Sequence, residues 1–193
     1  MLTKIDVFIA GFVGFLAGIF AIPTLINLGI KDSTLLLLLP WGAAVLFVIG
    51  ILICRVLSAR ITFMAQFGKF AAVGFLNTTI DFGVLNLLSG VLKITTGLFI
   101  GGVNIPGFIA AVSNSYFWNK LWVFKDKDKL FSDLPQFLVV TIGGVILNSL
   151  IITGLTTYIS HPFGADEKLW LNIAKGMATI VTLVWNFLGY KFL

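Results

Sequence analysis

Six stretches of this chain, near residues 5–28, 34–57, 67–92, 105–124, 137–159 and 169–192, are almost wholly apolar. A helix rises about 1.5 Å per residue, so about 20 apolar residues cross a hydrocarbon core roughly 30 Å thick. Lipid offers no partners to open backbone groups, so each run is expected to be helical. The predicted fold is an all-α polytopic transmembrane bundle of six spans. Only 11% of residues are charged, against about 25% in an ordinary soluble domain, which leaves too little polar material for a water-facing surface. The first run exceeds the roughly 7–15 residues of a cleavable signal core, so a retained span is expected. Pro23 and Pro40 interrupt the first two runs, and Pro106 is placed at the start of the fourth, where its missing N–H does no harm.

The charges fall between the runs. One side receives Lys4, Arg55, Arg60, Lys69, Lys120, Lys125, Lys127, Lys129 and Lys191, the other Lys31, Lys93, Lys168 and Lys175. The positive-inside rule then puts both termini in the cytoplasm, and the expected location is the inner membrane. This distribution also explains the net charge of +5 without a nucleic-acid partner. Trp118, Trp122 and Trp170 are expected as interfacial anchors. Residues 58–66 read either as an interfacial amphipathic helix or as a helical extension. The loop 125–133 reads as a solvated turn, and His161 as an exposed loop residue. Cys54 is the single cysteine, so no intrachain disulfide or Cys-rich metal site is expected.

An offset of 71 residues aligns Leu76-Asn77-x-x-Ile80-x-x-Gly83 with Leu147-Asn148-x-x-Ile151-x-x-Gly154, Ser89 with Ser160, and Lys120 with Lys191. Each copy holds two spans, the parallel kind of repeat found in some transporters. The chain is accordingly divided into a transmembrane hairpin, 1–60, and a four-helix core, 61–193, built as a two-helix direct repeat.

Polar groups at membrane depth are functional candidates because hydrocarbon penalises them. Gly74, Asn77 and Asp81 share one face of the third run by their spacing of 3 and 4, with Gly74 expected to admit a neighbouring backbone. Asp81 reads as a substrate or coupling-proton site, or as a packing hydrogen bond. Asn114, Asn119 and Lys120 mark the fourth run, and Gly143, Gly144 and Asn148 the fifth. Lys168, Asn172, Lys175, Thr179, Thr182 and Asn186 form a polar stripe on the sixth, expected to face the bundle interior. A direct or water-mediated contact between Lys175 and Asp81 is one expectation. No G-x-x-x-x-G-K-[ST], dinucleotide or H-E-x-x-H motif occurs, so neither bound ATP, a cofactor nor a metal is expected, and the chain does not read as an enzyme.

Two segments carry a family resemblance: Gln66-Phe67-Gly68-Lys69-Phe70-Ala71-Ala72-Val73-Gly74-x-x-Asn77-Thr78-x-x-Asp81, and Ala110-Ala111-Val112-Ser113-Asn114-Ser115-Tyr116-Phe117-Trp118-Asn119-Lys120-Leu121-Trp122-Val123-Phe124. With the basic linker and Asn186-Phe187-Leu188-Gly189-Tyr190-Lys191-Phe192, they resemble the GtrA-like family of small membrane proteins over about 61–193. The leading hairpin departs from that family's four-span form. The resemblance implies a flippase for polyprenyl-phosphate-linked sugars, delivering them to glycosyltransferases for cell-surface polysaccharide synthesis. Asn77, Asp81, Asn114 and Asn119 would then meet the sugar, Lys69 or Lys120 the phosphate, and Asn148, Lys175, Thr179, Thr182 and Asn186 the path. A non-transporting scaffold for a glycosyltransferase and a proton-coupled exporter of small solutes are the competing readings. So thin a bundle suggests a homo-oligomer, a dimer, in contact with membrane lipids.

Overall fold

The computed structural model describes residues 3–124, 134–160, 164 and 166–192, and only the backbone at 134, 136, 187, 188 and 190–192. The linker 125–133, His161 and the Lys191 side chain lie outside the described residues. Six helices follow: α1 (Lys4–Asn27), α2 (Ser33–Leu57), α3 (Met64–Leu92), α4 (Leu98–Trp118) continued by a π-helical turn (Asn119–Val123), α5 (Leu134–Tyr158) and α6 (Glu167–Phe192). Among the described residues α1, α2, α3, α4 with its π turn, and α5 are each long and apolar enough to cross a membrane. At 26 residues α6 is also long enough, but its Lys and Asn stripe lowers its apolarity; the stripe turns inward from Asn172 onward, while Lys168 at its start is exposed. The protein is a multi-pass helical membrane bundle.

Side-chain contacts set the directions. Asp6 meets Lys69 and Asn27 meets Asn86, so α1 and α3 run parallel. Asn114 meets Asn77 and Gly107 packs on the Asp81 carbonyl, so α4 is antiparallel to α3; Asn104 meets Asn148 and Gly101 packs on Thr153, so α5 is antiparallel to α4. Trp185 reaches the Val140 carbonyl and Trp170 that of Leu155, so α6 returns along α5. Hence α3 and α5 enter from the same end, as a direct repeat requires. Around the bundle α2, α1, α3, α4, α5 and α6 pack in succession, while α3 and α6 stay too far apart for close backbone packing. The starts of α1, α3 and α5 share one end with Arg55, Arg60, Lys69 and Lys120, here called the basic end.

Local chemistry fixes the helix ends. Thr3 and Asp6 form a reciprocal capping box on α1, and the Asp32 side chain caps α2. Two glycines permit close approach. A side chain at Gly83 would collide with the Phe20 carbonyl of α1, and a Cβ at Gly107 would lie 2.8 Å from the Asp81 carbonyl. One buried apolar cluster joins α1 to α3 through Ala10, Val13, Val73, Leu76 and Trp122. The other, with Leu85, Ile100, Ile152 and Leu171, lies within the last four helices. Large apolar side chains elsewhere, such as Leu37, Leu46 and Val56 of α2, are exposed, as lipid contact demands.

Three expectations change. Pro106 lies inside α4 rather than at its start, because the apolar run Leu98–Ile105 extends the helix N-terminally. Pro106 has no N–H to give the Gly102 carbonyl four residues earlier, so that helical hydrogen bond is missing. Residues 58–63 form tight turns, with Arg60 N–H donating to the Leu57 carbonyl at 3.0 Å, so neither reading of 58–66 as a helix holds up to Met64. Trp122 and Trp170 are buried at 4% exposure, since their indole N–H groups find partners inside the bundle.

The partner of Trp122 is Asp6, which the sequence reading did not single out. Asp6 Oδ1 accepts from Trp122 Nε1 at 3.0 Å and from Lys69 Nζ at 2.5 Å. This cluster clamps α1 to α3 and to the π turn. Removing one member of a buried pair leaves the other charge unpaired, at about 3–5 kcal/mol, whereas replacing both with apolar groups is often near neutral. Asp6→Ala should therefore lower stability by about 3 kcal/mol, and Asp6→Ala with Lys69→Met should recover most of it. Thermal unfolding in detergent, followed by tryptophan fluorescence, measures both.

Candidate functional site

A cavity of about 520 Å³ lies between α3, α4 and α6. From α3 it is lined by Phe70, Gly74, Asn77, Thr78 and Asp81, from α4 and the π turn by Phe108, Ala111, Ser115 and Asn119, and from α6 by Thr179, Thr182 and Asn186. The spacings are the 3 and 4 that bring residues onto one helical face. Gly74 admits no backbone: nothing stands within 4 Å of its Cβ position, so it contributes room instead. Phe70, Gly74, Phe75 and Thr78 on α3 and Leu183 on α6 are exposed at the rim, so the cavity opens sideways between these helices.

The inner end is closed by a node to which each of four helices gives one residue. Lys175 Nζ of α6 lies 2.6 Å from Asp81 Oδ2 of α3. It also donates to Asn104 Oδ1 of α4 at 2.7 Å and to Asn148 Oδ1 of α5 at 3.1 Å. Lys175 is fully buried. Farther from the basic end, Asn86 exchanges hydrogen bonds with Asn172 and accepts from Asn27, and Thr95 donates to Glu167. The seam between α3 and α6 is thus stapled above the node and open below it.

The expected site residues separate into groups. Asn77, Asp81, Asn119, Asn148, Thr179, Thr182 and Asn186 line the cavity. Asn114 stands behind Asn77, donating to its Oδ1 at 2.7 Å. Lys175 is not a lining residue but the core of the node, and its contact with Asp81 is direct. Lys69 turns to α1 and is committed to Asp6, away from the cavity, because the burial that surrounds it demands a counter-ion. Lys120 packs its Nζ 5.7 Å from the Tyr116 ring and does not line the cavity. Asn104 is 0% exposed and was not anticipated, although the 71-residue offset that pairs Asn77 with Asn148 also carries it onto Lys175. Among the described lining residues there is no Lys or Arg. Three buried oxygens of the lining, Asp81 Oδ1, Asn119 Oδ1 and Asn186 Oδ1, have no hydrogen-bond partner. A cavity edged by spare acceptors suits a ligand rich in donors, such as hydroxyl groups.

The π turn contributes to this arrangement. In a continuous α-helix, positions three apart lie about 60° apart around the axis. Phe124 N–H instead bonds to the Asn119 carbonyl, five residues back, at 2.8 Å, and the wider turn swings Trp122 toward α1 while Asn119 faces the cavity. Such π-helical insertions occur frequently at functional sites.

Comparison with known proteins bears on this geometry. The profile of the GtrA/DPMS transmembrane domain matches residues 69–193, which include every residue of the cavity and the node. The chain belongs to the GtrA/DPMS transmembrane domain family. The uncharacterized membrane protein YngA of Bacillus subtilis (strain 168) is 32% identical over 125 residues, 64% of this chain and 75% of YngA. A dolichol-phosphate mannosyltransferase of Pyrococcus furiosus is 28% identical over 85 residues, 43% of this chain but 23% of that protein. No solved structure matches the chain. The hairpin α1–α2 precedes the matched region.

The node makes a stability prediction for this GtrA/DPMS domain. Asp81→Asn or Lys175→Met alone leaves a buried charge and should destabilise by about 3–5 kcal/mol, while the charge-free Asp81→Asn with Lys175→Met should stay within about 1 kcal/mol of the parent. Thermal unfolding of the three variants measures the coupling; strict additivity would show that the pair does not act as a unit.

Proposed function

We propose that this protein translocates polyprenyl-phosphate-linked sugars across the membrane, binding the sugar in the cavity between α3, α4 and α6. The observation that carries the reading is the cavity itself: polar at its wall, lateral in its opening, and closed at one end. A sugar ring finds hydroxyl acceptors at Asp81, Asn119 and Asn186 and aromatic faces at Phe70 and Phe108. A polyprenyl chain needs no pocket, only the rim between α3 and α6, where Phe75 and Leu183 already stand exposed. The family match supports the same substrate class. In this proposal both termini and the basic end face the cytoplasm, the membrane is the inner one, and a glycosyltransferase consumes the sugar on the other side. The chain acts as a carrier rather than as an enzyme, in a homodimer.

The test is movement of a labelled polyprenyl-phosphate hexose between leaflets of vesicles containing the purified protein. A Cβ at position 74 meets no atom within 4 Å, so Gly74→Leu, which adds bulk at the cavity's rim, should abolish movement while leaving thermal stability unchanged or raised. Removing a polar partner typically costs 1–3 kcal/mol; Asn119→Ala and Asn186→Ala should therefore each slow movement by about 5- to 100-fold. Full activity in Gly74→Leu would remove the cavity from the pathway. The mannosyltransferase match favours a second reading, since the 85 matching residues make up 23% of a protein named as a glycosyltransferase. A membrane platform for a glycosyltransferase would move no lipid in vesicles, would retain a co-purifying enzyme, and would be indifferent to Gly74→Leu.

A further inference from the structure

Among the described residues there are two buried Asp–Lys pairs, and they are not built alike. Both oxygens of Asp6 are fully engaged: Oδ1 by Lys69 and Trp122, Oδ2 by the backbone N–H and the hydroxyl of Thr3. Asp81 is held at Oδ2 by Lys175, and its Oδ1, in the cavity wall, has no partner. Lys175 is the better-held member. Two of its three donors go to amide oxygens that cannot easily turn away. Asn104 Nδ2 is tied to Asn148 Oδ1 at 3.0 Å and to Ser149 Oγ at 3.1 Å, and Asn148 Nδ2 to Thr182 Oγ1 at 3.0 Å. The ammonium therefore sits in a cradle of neutral acceptors from α4 and α5. One coordination place remains for an anion, on the side of the cavity, and Asp81 occupies it.

We propose that Lys175 is a mid-membrane binding site for a phosphate ester, with Asp81 as its resting, exchangeable counter-ion. The proposal rests on the translocation reading, and supplies what that reading lacks. A phosphodiester that crosses the bilayer carries its charge through hydrocarbon, where an unpaired charge is severely penalised. Lys69 is consumed by Asp6, and no Lys or Arg lines the cavity among the described residues. Lys175 is the cation at the cavity's end. The incoming phosphate takes the place of the carboxylate, and Asp81, taking up a proton from water in the open cavity so that no second charge is left unpaired, moves onto the face of α3 that carries Asn77, one turn toward the basic end. The sugar then lies between Lys175 and the spare acceptors of Asn119 and Asn186. From position 175 to 186 the helix rises about 16 Å, ample for a sugar attached to the phosphate. The staple between α3 and α6 is thus released by the substrate's own charge.

Binding of labelled polyprenyl phosphate to the purified protein in detergent tests the exchange, with thermal unfolding as the control for folding. Asp81→Asn removes the charge that competes for Lys175, so its affinity should rise at least 10-fold, with a matching ligand-dependent gain in thermal stability. The charge-free variant Asp81→Asn with Lys175→Met should bind at least 10-fold more weakly than the parent. Competition by soluble glucose 1-phosphate would assign recognition to the phosphate alone. Binding that follows Lys175 but resists the soluble ester would assign it to a lipid-borne phosphate, and supports the site equally. Unchanged affinity in Asp81→Asn, or parental affinity in the charge-free variant, overturns the proposal. Translocation at the parental rate by the charge-free variant would reject the site and leave the flippase reading intact. The predicted binding pattern without any translocation would do the reverse.

Discussion

The ion pair between Asp81 and Lys175 organises the four-helix core. Neither charge is stable alone in a membrane interior, and each therefore constrains the helix that carries it. Asn104 and Asn148 complete the ammonium's coordination, which fixes α4 and α5 to the same point. Four helices thus converge on one nitrogen. The apolar cluster of Leu85, Ile100, Ile152 and Leu171 closes around the helices on the far side, and the cavity is the space left on the near side. Tight apolar packing could have filled that space; the polar lining of α3 and α6 instead keeps it available.

The hairpin α1–α2 is attached by a different logic. It meets α3 at both ends, through Asp6 with Lys69 and through Asn27 with Asn86, and between them Gly83 lets the Phe20 carbonyl come close. All four acceptor contacts of Asp6 are made, so nothing in the cavity competes for it. The same carboxylate holds Trp122, and with it the π turn that presents Asn119 to the cavity. A segment outside the matched family region is in this way mechanically part of the wall of the site.

Much of this was legible in the sequence because lipid leaves few options. The spans follow from apolar length, and the shared face of Gly74, Asn77 and Asp81 follows from helical spacing. The inward turn of the α6 stripe follows from the penalty for exposing Asn172, Lys175 and Thr182 to lipid, and all three are buried. What escaped had no local signal. Asp6 stands beside Lys4 at the start of a span and reads as an end-of-helix charge that caps α1 with Thr3, while the partners that clamp it to the bundle lie 63 and 116 residues away. Lys69 reads as an interfacial lysine for the same reason, and its neighbour in space is visible only in three dimensions. The π turn is a slip in hydrogen-bond register, which composition does not record. Gly74 shows that a glycine on a polar face has two readings, close packing or empty volume, which spacing alone does not separate.

The seam between α3 and α6 has a topological reason to be the one that opens. These are the first and last helices of the core, so no connecting turn ties them together, whereas α3 is joined to α4 and α5 to α6. Among the described residues side chains close the seam, at Asp81–Lys175 and Asn86–Asn172, with Thr95 of the turn after α3 donating to Glu167. Each is a polar contact that can be exchanged for another polar partner at small net cost, unlike a packed apolar interface, whose opening in a membrane loses dispersion contacts outright. The hairpin holds α3 through Asp6 and leaves α6 free of it over most of its length. A substrate that brings its own charge and hydroxyl groups can therefore replace the staples one for one. The clamps that hold α1 to α3, being saturated, stay shut while it does so.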